Sequence, residues 1–154
     1  MPKFSVVHGV PFTPAQMFDL VADVERYPEF VPYCEKLIVH SRETTGNTTQ
    51  LIATMSVGYS AVRESFTTRV TLDPSLRRIL VEYLDGPFSH LENRWSFTPA
   101  NGGCMVDFHI EYEFRSRLLA VALGTVLSKA FKHFTHVFED RARKVYAKKP
   151  EELS

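Results

Sequence analysis

Val106-Asp107-Phe108-His109-Ile110-Glu111-Tyr112-Glu113-Phe114 alternates without a break. Val106, Phe108, Ile110, Tyr112 and Phe114 fall on one side of the chain; Asp107, His109, Glu111 and Glu113 fall on the other. A period of two is what a strand shows when one face of its sheet is buried and the other meets water. Directly downstream, Leu119, Leu123, Val126, Leu127, Ala130, Phe134, Val137, Phe138 and Val145 recur at helical spacing, which gives a long helix one apolar stripe. Strand and helix each need a cover for a greasy face, and each is the other's nearest partner. A long helix laid on a curved antiparallel sheet often leaves an apolar space between them, and that space is where a hydrophobic ligand would go.

Upstream, six more runs read as strands: Lys3–His8, Glu35–Glu43, Thr49–Val57, Val62–Leu72, Ile79–Leu84 and His90–Phe97, with Met105–Arg115 as the seventh. Turn signals separate them at Thr45-Gly46-Asn47, Gly58, Asp73-Pro74-Ser75, Asp85-Gly86-Pro87 and Asn101-Gly102-Gly103. Connections this short favour an antiparallel meander over parallel crossovers. Between the first two strands, Thr13-Pro14-Ala15-Gln16 opens a helix. Thr13 is the N-cap, Pro14 takes the first helical position, Gln16 closes a capping box, and Phe12 with Met17 is placed to form the staple. That helix is expected to end before Tyr27-Pro28, and the prolines at 28 and 32 limit any second helix to about a turn. Ser116 can cap the final helix, which is roughly 30 residues and on the order of 45 Å long. The folded domain is therefore expected over 1–149, with 150–154 a frayed tail.

A chain of 154 residues fits one domain with one core. Net charge is zero but unevenly spread. Residues 115–149 hold nine Lys/Arg against two acids, a net +7, and the remainder carries −7, so the last helix is a basic element on an acidic body. Cys34 and Cys104 have neither metal nor redox spacing. Met1-Pro2-Lys3 leads straight into a strand-like run with no secretory signal. The longest apolar run, Leu118–Leu127, is too short to span a bilayer. The expectation is a soluble, cytoplasmic protein, with any membrane contact peripheral and on the inner face.

Four stretches resemble one known family. They are Tyr27-Pro28-Glu29-Phe30-Val31-Pro32-Tyr33-Cys34; Gly86-Pro87-Phe88-Ser89-His90-Leu91-Glu92-Asn93-Arg94-Trp95-Ser96-Phe97; Val106-Asp107-Phe108 through Glu113-Phe114-Arg115-Ser116; and Phe138-Glu139-Asp140-Arg141-Ala142. With the element order they resemble the coenzyme Q-binding family of the START-like, polyketide cyclase-like superfamily, whose bacterial members are also called ribosome association toxins. The resemblance implies an α+β helix-grip fold: a seven-stranded curved antiparallel sheet wrapped around a long C-terminal helix, with two short helices between strands 1 and 2. It also implies ubiquinone as bound ligand in support of respiration, no cofactor, and a possible ribosome contact.

The lining of the expected cavity is read as Met55, Val57, Phe66, Leu91, Trp95 and Phe108 from the sheet, with Leu123, Leu127, Phe131 and Phe134 from the helix. Phe30 and Tyr33 lie in the segment best placed to form a lid. Burying one methylene is worth about 0.8 kcal/mol, so an isoprene unit contributes roughly 4 kcal/mol at most. Association costs about 4–15 kcal/mol. Two to four isoprenes therefore reach micromolar binding, which favours a polyprenyl tail over a bare quinone ring.

Arg141, Arg143, Lys144, Lys148 and Lys149 cluster at the C-terminus, where they complement the helix dipole and could meet anionic headgroups or ribosomal RNA. His133 and His136 can share a helix face, but they read as solvated helix histidines and no metal is expected. Glu64 shares parity with Phe66 and Val70, and Asn93 with Leu91 and Trp95. A polyketide cyclase-like enzyme would have to use one of them. No convergent catalytic set accompanies them, so the reading is a non-enzymatic binder, with a ribosome-binding regulator of translation as its rival.

Overall fold

The structure is a computed structural model and describes residues 2–146. Seven strands, β1 (Lys3–Val10), β2 (Cys34–Thr45), β3 (Thr48–Tyr59), β4 (Val62–Asp73), β5 (Arg78–Asp85), β6 (Phe88–Ala100) and β7 (Gly103–Phe114), form one sheet. Its order is β1-β7-β6-β5-β4-β3-β2, antiparallel throughout. β1 and β2 are opposite edges, so the chain between them must travel the width of the sheet. It does so through α1 (Pro14–Ala22) and a 3₁₀ segment (Val24–Glu29). The return from β7 is α2 (Arg117–Tyr146), 30 residues long. This is the expected helix-grip architecture.

Local chemistry sets the boundaries. Thr13 and Gln16 close the capping box at 3.0 Å in both directions. Ser116 Oγ accepts from the N–H of Leu118 and of Leu119. β7 follows its alternation, with Val106, Phe108, Ile110 and Tyr112 all buried. Pairing carries most strands past their expected ends, up to the turns. Gly58, read as a break, instead lies within β3, and its N–H donates to the Tyr33 carbonyl.

Two expectations are corrected. α1 ends at Ala22, before Tyr27 as expected. The 3₁₀ segment that follows, however, spans 6 residues and runs on through Pro28, longer than the single turn the prolines were expected to allow. The cause is tertiary: Val24 and Tyr27 turn inward, and the Tyr27 hydroxyl donates to the Val21 carbonyl. In α2, Val145 is exposed, while Thr135 and Ala142 join Phe131 on the buried face. Tyr146 closes that face instead, its hydroxyl donating to the Gln16 carbonyl and its ring lying 6.1 Å from Phe12.

Candidate functional site

Between the sheet and α2 lie two small adjoining chambers. The inner one, ≈ 100 Å³, has walls from Leu37, Ala53, Val70, Ile79, Val81 and Ile110 on the sheet, Val24 and Tyr27 on the 3₁₀ segment, and Phe134 and Phe138 on α2. The outer one, ≈ 50 Å³, runs toward the sheet end where β3 turns into β4. Met55, Phe66, Leu91, Phe131 and Phe134 touch both chambers and so form the partition. Beyond the outer chamber a crevice reaches the surface between Tyr33, Tyr59, Leu123 and Leu127.

Of the sequence-read lining, the partition takes five residues, Trp95 faces the inner chamber, and Tyr33, Val57, Leu123 and Leu127 face the outer one. Two are placed elsewhere. Phe108 is fully buried behind Trp95, ring centroids 4.7 Å apart, and serves as core. Phe30 turns toward the C-terminal half of α2, packing on Phe138 with the Arg141 guanidinium 4.9 Å above its ring. Most of the lining that was not anticipated was within reach of the same period of two: Ala53 shares parity with Met55, and Thr68 and Val70 with Phe66. Val24 and Tyr27 carried no such signal.

Polar groups on these walls are few. Asn93 is committed: its Nδ2 donates to the His109 carbonyl at 2.9 Å and its Oδ1 accepts from the Trp95 indole at 2.8 Å. The Tyr27 hydroxyl is spent on Val21, and burial pushes its phenol well above the usual range. Thr68 is the remaining neutral hydroxyl of the inner chamber. Glu64 is the carboxylate, among the described residues, that lines either chamber, and it sits in the outer one. Both cysteines are free and buried, and burial holds the Cys34 thiol at about 11.

Size decides what the closed form can hold. A cavity of about 150 Å³ takes a benzene ring, so the inner chamber, ≈ 100 Å³, has room for at most one isoprene-sized group. The two to four isoprenes needed for micromolar binding require the partition aromatics to swing aside or α2 to lift. A larger hollow, ≈ 670 Å³, opens on the opposite sheet face among Asp73, Arg78, Arg94, Asp107 and His109. Hydrocarbon there would strip water from charged groups, so it is no lipid site.

The mouth has its own character. Tyr33 holds a left-handed backbone (φ 66°), costly for a side chain of this kind, and its ring meets Tyr59 edge-on at 5.6 Å. Nearby, at the start of α2, Leu118 and Val121 are 78% and 82% exposed. The other end of α2 is less basic in effect than its composition suggests. Arg141 pairs with Glu29 at 2.7 Å and Arg143 with Glu139, which leaves Lys144 exposed; Lys148 and Lys149 lie outside the described residues. The Arg141 hydrogen bond holds the Glu29 carboxyl below the usual carboxylate range. No helix among the described residues is long and apolar enough to cross a membrane.

The family model described as polyketide cyclase/dehydrase and lipid transport matches residues 10–139. Ribosome association toxin RatA of Escherichia coli K12 is 35% identical over 148 residues, 96% of this chain and 90% of that one. The mitochondrial coenzyme Q-binding protein COQ10 homolog B of Xenopus laevis is 32% identical, over 89% of this chain and 56% of its own length. The solution structure of the 18 kDa protein CC1736 from Caulobacter crescentus superposes with a TM-score of 0.79 at 36% identity, covering 96% of this chain and all of that one.

Proposed function

We propose, for a chain that belongs to the polyketide cyclase/dehydrase and lipid transport family, that it is a non-enzymatic carrier of polyprenyl quinone supporting respiratory electron transport. The observation that carries this reading is the pair of apolar chambers, divided by an aromatic partition and continued toward the surface past Tyr33 and Tyr59, with few polar side chains on their walls. Similarity to a coenzyme Q-binding protein supports the choice of ligand. The tail enters past Tyr33 and Tyr59, and the partition rings part to admit successive isoprenes.

Exchange then takes place with the mouth against a bilayer. Leu118 and Val121 enter the headgroup boundary, Tyr33 and Tyr59 lie at the interface, and Arg115 and Arg117 meet anionic lipid. The basic end of α2, with Arg143 and Lys144, lies at the opposite end of the helix and takes no part in this contact.

The test uses Trp95, the chain's one tryptophan, on the inner chamber wall. Protein purified from a quinone-producing host is extracted with organic solvent, and added ubiquinone is followed by Trp95 quenching. If no quinone or other lipid co-purifies and the fluorescence stays unchanged, the reading fails.

Similarity to RatA along nearly the whole chain favours a second reading, a regulator that binds ribosomal subunits through the basic end of α2. Charge reversal at Arg143, Lys144 and Lys148 separates the two. Loss of ribosome co-sedimentation with quinone binding intact supports the regulator; absence of co-sedimentation by the wild type at low salt removes it.

A further inference from the structure

We propose that His8, His136 and Glu139 form a zinc site that ties the edge strand β1 to the C-terminal half of α2. His136 and Glu139 are three apart on one helical face, and His8 reaches them from β1. His8 Nε2 lies 2.6 Å from Glu139 Oε1, and the two imidazole centroids are 4.4 Å apart. One ligand atom from each of the three residues falls within 4.8 Å of the others.

Four-coordinate zinc binds nitrogen and carboxylate oxygen at about 2.0–2.2 Å, which sets its ligand atoms roughly 3.3 Å apart. The present spacings bracket that value, so side-chain rotation alone brings the three onto one ion. Two imidazoles and one carboxylate favour zinc over magnesium or calcium, which take all-oxygen sets. Three protein ligands leave a fourth position for water.

The carboxylate is already oriented for the task. Its Oε2 accepts from Arg143, leaving Oε1 turned toward the imidazoles, and an outer partner of this kind is what fixes a ligating carboxylate. His8 and Glu139 side chains are 21% and 13% exposed, so the ion would sit at the protein surface but partly shielded from water. The sequence offered His133 as the partner of His136; the fold supplies a histidine 128 residues away instead. A metal here holds the lower half of α2 to the sheet and leaves the upper half, over the mouth, free to move. The site depends on the fold alone and stands or falls apart from quinone binding.

Tag-free protein, stripped with EDTA and held at about pH 7.5, where free imidazole is largely neutral, is titrated with zinc chloride by calorimetry and with cobalt chloride by visible absorption. We expect one equivalent bound, strong visible bands from low-coordinate cobalt, and a thermal midpoint raised by zinc but not by magnesium. His136→Ala, at an exposed position, should weaken zinc binding by more than about 100-fold, beyond the effect typical of losing an outer partner. Glu139→Gln should abolish the cobalt bands, and His133→Ala should bind like wild type. No binding by the wild type, or His136→Ala within about 10-fold of it, overturns the site.

Discussion

The indole N–H of Trp95 donates to Asn93 Oδ1 at 2.8 Å, on the wall of the inner chamber. Asn93 is in turn anchored by donating to the His109 carbonyl. The amide is therefore the acceptor that lets a tryptophan be buried here, and as a catalytic group it has little left to offer. Asn93→Leu leaves the indole N–H buried without an acceptor, a loss of about 1–3 kcal/mol. Chemical unfolding of Asn93→Leu, Trp95→Phe and the double variant measures it. The double variant should lose less than the sum of the two singles, because phenylalanine has no N–H to strand.

Ala53 is buried and faces the inner chamber. Ala53→Leu places three more carbons in a space of ≈ 100 Å³. Each buried methylene gains about 0.8 kcal/mol, while imperfect fit in a packed core costs about 1–3 kcal/mol. The two offset, and the melting temperature should stay near that of wild type. Quinone quenching of Trp95 should nonetheless disappear, since the room for the first isoprene is gone. A variant that melts normally and still binds quinone places the ligand elsewhere.

How much of this was legible in the sequence follows from what each signal reports. The alternation of Val106–Phe114, the Thr13–Gln16 cap and the turns at Gly46, Gly86 and Gly102 are local, and each lies where its residues point. Parity along the strands also put Met55, Phe66, Leu91 and Trp95 on the helix-covered face. What local pattern cannot report is depth. Phe108 shares the parity of its neighbours yet lies behind Trp95, and Phe30 is turned away by a 3₁₀ segment whose length depends on Tyr27 finding Val21. The pairing of His8 with Glu139 joins chain segments 131 residues apart, and only the fold makes it.

Glu29 and Arg141 join the 3₁₀ segment to α2 across the edge of the aromatic cluster. The hydrogen bond from Arg141 lowers the Glu29 carboxyl below its ordinary value. A depressed carboxylate stabilises the folded state at pH values above its unfolded pKa, about 4.3. That stabilisation is lost as pH falls through the lower folded value. Unfolding measured from neutral pH downward should show wild type more stable than Glu29→Gln near neutrality, with the gap closing in acid. A gap that stays constant to low pH would show that the pair contributes by packing on Phe30 and not by charge.

Leu118 and Val121 sit one turn apart at the start of α2, facing water. Exposed apolar residues of this size gain nothing in the folded monomer, so Leu118→Glu with Val121→Glu should change its stability by no more than about 0.5 kcal/mol per site. Burial in a headgroup boundary is where they would contribute, and two carboxylates there would oppose anionic lipid. The double variant should co-sediment poorly with vesicles containing phosphatidylserine and deliver quinone to them slowly, while binding quinone from detergent as well as wild type does. The complementary variant, Lys144→Glu, should bind vesicles normally, because its residue lies at the far end of the helix. If instead Lys144→Glu loses vesicle binding and the double variant keeps it, the protein approaches the membrane by its basic end, and the opening between Tyr33 and Tyr59 faces away from the lipid.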